Sequence, residues 1–490
     1  MTSLPPTDHL PLPASSGSAR KVHFISLGCP KNRVDSEIML GTARGEGFEH
    51  TQDPGDAEVI VVNTCGFIDS AKQESIDTIL EMAEFKKRGT CKKLVVTGCL
   101  SQRYSGDLAS GMPEVDHFLG SSDMPKIKHV LTEPSERMLV GNPADWVVSS
   151  SDPRTLSTRG ASAYVKIAEG CNRSCSFCVI PQLRGKQRSR SIDDVVREVE
   201  QLVDSGVLEV NLVSQDTIAY GRDLTQNVRL ADLVQRVADV PGLKWLRLFY
   251  LYPEKMDDGL IELISDHPTI VPYVDMPLQH AADDMLRRMR RGHGGKRLYD
   301  LVERMKTRIK GLTFRTAFIV GHPGETEEEF QALCDFISFA QFDRVGVFRY
   351  SDEKESLSFS LESKVDKRTS YNRARKLMGL QRGISLKKNR ALVGQVLPVL
   401  VEGPSEESEL VMVGRHAGQA PDIDGVVYLS GGEVQPGSLV TVTMTQATDY
   451  DLLGEVDETV PAIIGHGRIH NAPSLINRAS DGRRVLKTVS

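Results

Sequence analysis

Apolar and polar residues alternate along this chain in two recurring ways, and their order predicts its layout. From Lys21 to about Asp145, short apolar runs (KVHFISL, EVIVVN, KKLVVT) are separated by longer stretches with helical spacing, VDSEIMLGTARGEGF and IDSAKQESIDTILEMAEFKK. Such runs suit strands buried on both faces, and helices between them supply the crossovers of a parallel sheet. Residues 146–160, WVVSSSDPRTLSTRG, break the pattern and read as a linker.

A second β/α series occupies residues 161–390. Its strand-like runs are AYVKIA, LEVNLVSQ, KWLRLFYL, YVDMPL, FRTAFIVG and FDRVGVFRY, with helical stretches such as DDVVREVEQLVDS and TEEEFQALCDFISFA between them. Six such units predict an open or partial β/α barrel. A helix near 370–390 closes it. Residues 391–457 are rich in Val and Gly, with short runs (QVLPVLVEG, VVYLS, SLVTVTMTQ) that predict a small all-β barrel. The expected fold is therefore α/β: an N-terminal open parallel sheet domain (21–145), a central partial β/α barrel and a C-terminal small all-β barrel. Residues 458–490 lack an apolar pattern and read as a tail. Residues 1–20, rich in Pro and Ser, read as a disordered lead-in with no signal-peptide core.

Length and charge narrow the reading. A chain of 490 residues suits about three domains. A net charge of −6 argues against coating nucleic acid through bulk charge. No run approaches membrane-spanning length. The expected location is the cytoplasm, where thiols stay reduced, so eight cysteines point to metal or redox chemistry before disulfides.

Three cysteines, Cys29, Cys65 and Cys99, each follow a predicted parallel strand, in SLGC, NTCG and TGC. The carboxyl ends of such strands share one edge of the sheet, where ligands bind, so three distant thiols converge. Gly28, Gly66 and Gly98 beside them let backbone approach a bulky ligand. Free cysteine as small apolar filler explains one such position less awkwardly than three, and zinc would need a fourth ligand. Cys91 and Cys334 read as core residues. The second set, Cys171, Cys175 and Cys178, forms CNRSCSFC after the first strand of the second series, on the face where β/α barrels gather catalytic groups. Residues 161–190 contain no histidine. A 4Fe–4S cluster held by three thiolates keeps one iron open to a substrate. The competing readings are a zinc knuckle or a metal-free loop.

CxxxCxxC at the start of a partial barrel resembles the radical S-adenosylmethionine (SAM) superfamily. The resemblance implies that the methionyl group of SAM chelates the open iron, that an electron cleaves SAM to a 5′-deoxyadenosyl radical, and that Phe177 lies beside the adenine. Three N-terminal cysteines and a terminal β-barrel similar to a TRAM domain extend the likeness to the methylthiotransferases over about 21–457. It implies two 4Fe–4S clusters, with the one on Cys29, Cys65 and Cys99 carrying or receiving the sulfur. One SAM supplies the methyl group and another the radical. The strings SLGCPKNRVDSE, VNTCGFIDSAKQES, TGCLSQRY and EGCNRSCSFCVIPQLRGKQRSR look like the ribosomal-protein branch, the RimO family. The transfer-RNA branch has Gln-Met-Asn where this chain has Pro30, Lys31 and Asn32. The implied reaction is β-carbon methylthiolation of an aspartyl residue in small-subunit ribosomal protein S-twelve, free or in the small ribosomal subunit. It also requires an electron donor and a sulfur donor. No side chain is assigned as general acid or base.

Charge points the same way. Residues 391–456 hold ten acidic residues and one basic residue, Arg415. That surface would repel phosphates and attract a basic partner; a merely solvated surface is the plainer reading. A transfer-RNA methylthiotransferase would call for a basic terminal barrel, and a non-catalytic iron–sulfur module that binds ribosomes would not need both cysteine sets. Among weaker signals, Gln215 in LVSQD ends a barrel strand and is a candidate cofactor contact. Gly321 in FIVGHPGE serves cofactor contact or packing equally well. Arg184, Lys186, Arg188 and Arg190 could bind an acidic target or offset cluster charge, and read more simply as a solvated loop. Arg468, Arg478, Arg483, Arg484 and Lys487 give the tail a basic bias suited to ribosomal RNA.

Overall fold

The computed structural model describes residues 20–225 and 228–465. The lead-in before Arg20 and the basic tail residues Arg468 to Lys487 lie outside the described residues.

The first sheet has strands β1 (Arg20–Ser26), β2 (Phe48–His50), β3 (Val59–Thr64), β4 (Lys93–Gly98), β5 (His117–Leu119) and β6 (Met138–Leu139), all parallel, in the order β2-β1-β3-β4-β5-β6. Helices α1 (Pro30–Gly45), α2 (Asp69–Arg88), α3 (Cys99–Gly111) and α4 (Ile127–Thr132) cover it. Alternation within the apolar runs sends Val59, Val61 and Val95 towards α1 and α4, and Ile60, Val62 and Val96 towards α2 and α3.

The central domain opens with β7 (Ser162–Lys166), then a small antiparallel pair, β8 (Ala168–Glu169) and β9 (Arg188–Ser189). The series continues with β10 (Glu209–Val213), β11 (Trp245–Leu248), β12 (Ile270–Asp275), β13 (Thr313–Val320) and β14 (Arg344–Arg349). These six run parallel in the order β14-β13-β12-β11-β10-β7, so the barrel is open, as the six apolar runs predict. Its helices are α5 (Ile180–Arg184), α6 (Ile192–Asp204), α7 (Leu230–Ala238), α8 (Asp258–Asp266), α9 (Asp283–Arg288), α10 (Gly295–Arg308), α11 (Glu327–Ala340) and α12 (Lys367–Arg390).

The two faces of this sheet differ. Val165, Val210, Leu212, Leu246 and Val274 point outward into the helices. The concave face carries Tyr164, Trp245, Phe249 and Tyr273 together with buried Lys166, Glu209, Arg247 and Asp275. Buried away from water, a face that polar is stable only when its charges are paired. Two elements seal it. Val34 and Ile38 of α1 and Leu400 and Ala420 of the third domain join one apolar cluster with Tyr164, Trp245, Phe249 and Tyr273, so all three domains share a core.

That third domain contains β15 (Val396–Pro404), β16 (Met412–His416), β17 (Val427–Ser430), β18 (Ser438–Ala447), β19 (Leu452–Val456) and β20 (Ile463–Ile464). Pairing of β15 with β18 closes the first five into a barrel. Ile463–Ile464, within the expected tail, instead pair with β18 at its edge.

The acids of this barrel do more than face solvent, which corrects the charge argument from composition. Arg415 is buried between Glu402 and Glu209, the latter at 2.6 Å. Asp422 pairs with Arg33 at 3.3 Å, Asp424 accepts from the Tyr273 hydroxyl at 2.7 Å, Glu406 lies 3.5 Å from Arg159 and Asp449 pairs with Arg382. Four of the ten acids thus dock the barrel onto the rest of the chain, and Glu402 holds the Arg415 that reaches Glu209. Glu407, Glu409, Glu433 and Glu455 remain exposed, beside a nearly fully exposed Leu410.

Burial would raise the Glu209 carboxyl, but Arg415 and then Arg247 outweigh it and hold it at about 2. Replacing Arg415 with Leu leaves that carboxylate short of one cation. We expect a loss of about 3–5 kcal/mol in urea unfolding. Arg382→Ala, which breaks an exposed pair, should cost less than about 1 kcal/mol.

Candidate functional site

Cys29, Cys65 and Cys99 stand at the carboxyl ends of β1, β3 and β4, three neighbours in the first sheet. Cys29 caps the amino end of α1, and Cys99 is the first residue of α3. Two helix N-termini therefore face this point and favour anionic sulfur. Glycines make the approach possible. A Cβ on Gly28, whose φ is +86°, would fall 2.8 Å from Cys65 Cβ and 3.1 Å from its Sγ. One on Gly66 would lie 2.7 Å from the Leu100 backbone. Burial, then the neighbouring Cys99 and Cys29, pushes the Cys65 thiol up to about 12. Burial also raises Cys99, against the pull of Arg184.

Cys171, Cys175 and Cys178 lie on the loop that follows β7 and β8, at the mouth of the open barrel. Backbone amides of Arg173 and Ile180 donate to Cys171 and Cys178 Sγ at 3.4 Å each, and an Arg291 guanidinium N–H donates to Cys175 Sγ at 3.3 Å. Burial pushes Cys171 up to about 11 and Cys178 up to about 12. All eight cysteines are free thiols. Among the described residues, no three His, Cys, Asp or Glu side chains close on a point as they would around a single ion.

The first set adjoins the segment that follows the second. Cys99 packs against Val179 and Leu183, directly after the second set, and α3 packs on α5. A buried ionic chain runs between them. Arg184 Nε donates to Cys99 Sγ at 3.3 Å, its NH1 to Asp35 at 2.8 Å and its NH2 to Asn32. Lys166 Nζ lies 2.6 Å from the other Asp35 oxygen and also pairs with Glu169, which in turn accepts from Gln215 Nε2 at 2.6 Å. Burial would raise the Glu169 carboxyl, but Lys166 and Arg184 hold it well below its usual range.

This overturns the solvated-loop reading of Arg184 and Arg190. Arg184 is 2% exposed, and Arg190 is buried against Glu198 and Asp194, whereas Lys186 alone of the four is exposed. The physical reason is that Arg184 lies under the first domain, which supplies Asp35 and Asn32 as partners, while Arg190 turns onto Asp194 and Glu198 of α6. Lys31, Asn32, Asp35, Lys166, Glu169 and Arg173 escaped the sequence reading, because charge on a helix or after a strand ordinarily marks a solvent face. The signal for them is the density of charge in PKNRVDSE beside a site cysteine.

Gln215 ends β10, with its Nε2 on Glu169 and its Oε1 buried without a partner. Asp216 Oδ1 and Arg173 NH2, beside it, are likewise unpaired. Arg173 otherwise bonds Asp216 and Glu254 at 2.6 Å each. Unpaired buried polar atoms clustered at a barrel mouth fit a polar ligand. Phe177 is half-buried on the cysteine loop. Gly321, φ +76°, ends β13 with Ser370 of α12 pressed against the place a Cβ would occupy, so packing alone accounts for it. His322, next to it, reaches the cysteine loop through Ser358 and Ser176 at 2.8 Å per step. Cys91 donates to the Lys93 carbonyl, and Cys334 is buried in α11.

Comparison with known proteins matches these features. Residues 21–120 match the family described as Uncharacterized protein family UPF0004, 165–337 the Radical SAM superfamily and 393–456 the TRAM domain. The ribosomal protein uS12 methylthiotransferase RimO of Sorangium cellulosum (strain So ce56) is 67% identical over 445 residues, 90% of this chain and 91% of the relative. That of Myxococcus xanthus (strain DK1622) is 51% identical over 90% of this chain and 92% of its own length. Among solved structures, the radical SAM methyltransferase TsrM from Kitasatospora setae superposes with a TM-score of 0.50 at 18% identity, over 68% of this chain and 75% of its own, which shows a shared fold. With both cysteine sets, the open barrel and the terminal β-barrel in place, this chain belongs to the RimO family of radical SAM methylthiotransferases.

Proposed function

We propose that this enzyme methylthiolates the β-carbon of an aspartyl residue in ribosomal protein uS12, the S-twelve protein of the small subunit. The observation that carries the reading is the placement of two cysteine triads beside one buried ionic chain, in a sequence 67% identical to a uS12 methylthiotransferase.

Cys29, Cys65 and Cys99 would hold one 4Fe–4S cluster, and Cys171, Cys175 and Cys178 a second. The fit rests on the donors: three free thiols in each set, glycine where a Cβ would intrude, and partnerless polar atoms at the barrel mouth. Bound there, the clusters and SAM supply a one-electron route to hydrogen abstraction and the sulfur and methyl group to be transferred. The chain's own residues do the rest. Arg184 and Arg291 offset negative charge on Cys99 and Cys175. Gln215, Asp216 and Phe177 line the mouth as SAM contacts, with Gly321 shaping the loop behind. The shared apolar core keeps water out, as a reactive radical requires.

Exposed Glu407, Glu409, Glu433 and Glu455 with Leu410 suit contact with a basic ribosomal protein, free or within the small subunit. An electron donor and a sulfur donor complete the turnover. Among the described residues no helix is long and apolar enough to cross a membrane, and we place the enzyme in the cytoplasm, where its thiols stay reduced.

Two measurements test this. Reconstituted enzyme should carry about eight irons per chain, and Cys65→Ala or Cys175→Ala about four. Cys175→Ala should lose SAM cleavage, while Cys65→Ala keeps cleavage and loses methylthio transfer. Second, anaerobic reaction with SAM, reductant and sulfide should give a methylthio mass gain on an aspartyl peptide of uS12. A gain on transfer RNA alone would contradict the substrate.

A further inference from the structure

Lys31 is a buried cation with no carboxylate ion pair of its own among the described residues. It is 7% exposed, on the first turn of α1, two residues after Cys29. Its ammonium lies 3.4 Å from the centroid of the Tyr250 ring. Nearby carboxylates are committed elsewhere. Glu169 serves Lys166 and Gln215, Asp35 serves Lys166 and Arg184, and Asp275 serves Arg315 and the Tyr250 amide. Lys31, Lys166 and Arg184 thus share two carboxylates, Asp35 and Glu169, with the thiols of Cys29 and Cys99 beside them.

A ring face attracts an ammonium but does not neutralise it, and a direct carboxylate partner would add a charge-assisted hydrogen bond that Lys31 lacks among the described residues. The ring itself is held in place. Tyr250 lies two residues past β11 with φ +56°, its amide donating to Asp275 at 3.0 Å and its carbonyl accepting from Thr217 at 3.2 Å. A strained residue fixed beneath a cation that holds no carboxylate marks a prepared site. The amino end of α1 adds its own preference for an anion. The site lies between the two triads, close to Cys29 on one side and to Glu169, two residues before Cys171, on the other.

We propose that Lys31 binds the carboxylate of the substrate's aspartyl side chain. This rests on the functional reading above and adds a specificity determinant to it. The carboxylate is one bond from the β-carbon, so an ammonium that holds it fixes the reacting carbon between the triads. It also favours aspartate over its neutral isostere asparagine.

The test compares wild type, Lys31→Met and Lys31→Arg, all reconstituted, on uS12 and on uS12 with the target aspartate replaced by asparagine. Methionine preserves length and bulk, so the packing survives. Loss of one charge-assisted contact should raise KM for uS12 about 10- to 100-fold, with wild-type iron content and wild-type KM for SAM in substrate-free cleavage. Arginine should restore part of the loss. Wild type should discriminate against the asparagine substrate by a similar factor, and Lys31→Met should treat the two alike. The proposal is overturned if Lys31→Met loses iron, raises KM for SAM instead, or discriminates as wild type does. If wild-type enzyme modifies neither form of uS12, the functional reading itself has failed, and this inference with it.

Discussion

The buried pairing of Asp35 with Lys166 and Arg184 is the interaction on which the rest of the structure depends. Asp35 belongs to α1 of the first domain, Lys166 to β7 of the barrel and Arg184 to the end of α5, after the second cysteine set. All three are almost wholly buried. Removing any one would leave an uncompensated charge in the interior, so the pairing fixes the relative placement of the two triads more firmly than apolar contact could. Apolar packing tolerates sliding; a chain of charge-assisted bonds has one register.

From that anchor the first domain spans the open side of the barrel. Near β7, Glu37 of α1 accepts from Arg154 of the linker at 2.6 Å. After β14, Glu353 takes both Lys72 and Arg103 at 2.8 Å. The first domain is thereby tied to segments beside both edges of an unclosed sheet. The third domain completes the enclosure through Arg415, Asp422 and Asp424. An open barrel would otherwise expose a polar concave face. Here that face becomes an interior in which charge can be held away from water, which is what chemistry on an unactivated carbon needs.

Much of this was legible in the sequence. Strand positions followed from apolar runs, because a parallel sheet covered on both sides leaves no room for polar residues. The placement of the two candidate cysteine sets, one at strand ends and one on the loop at the barrel mouth, followed from the strand pattern and from CxxxCxxC. What sequence could not convey is which charged residues are buried, since that depends on the docking of domains far apart in the chain. Arg184 reads as solvated until Asp35, 149 residues away, is seen beside it. The acidic count of the terminal barrel likewise points outward until Glu402, Asp422 and Asp424 are found facing inward. Gln215 was legible as a strand-end polar residue, whereas its unpaired oxygen was not.

The central claim is that the two triads hold their inorganic groups close enough to act on one substrate carbon. Electron paramagnetic resonance of the fully reduced, reconstituted enzyme tests it most directly. The account predicts spin–spin interaction between the two centres, seen as broadened signals with faster relaxation, and recovery of a simple spectrum when Cys65→Ala or Cys175→Ala leaves a single centre. A wild-type spectrum equal to the sum of those of the two variants would show two independent, distant centres and contradict it.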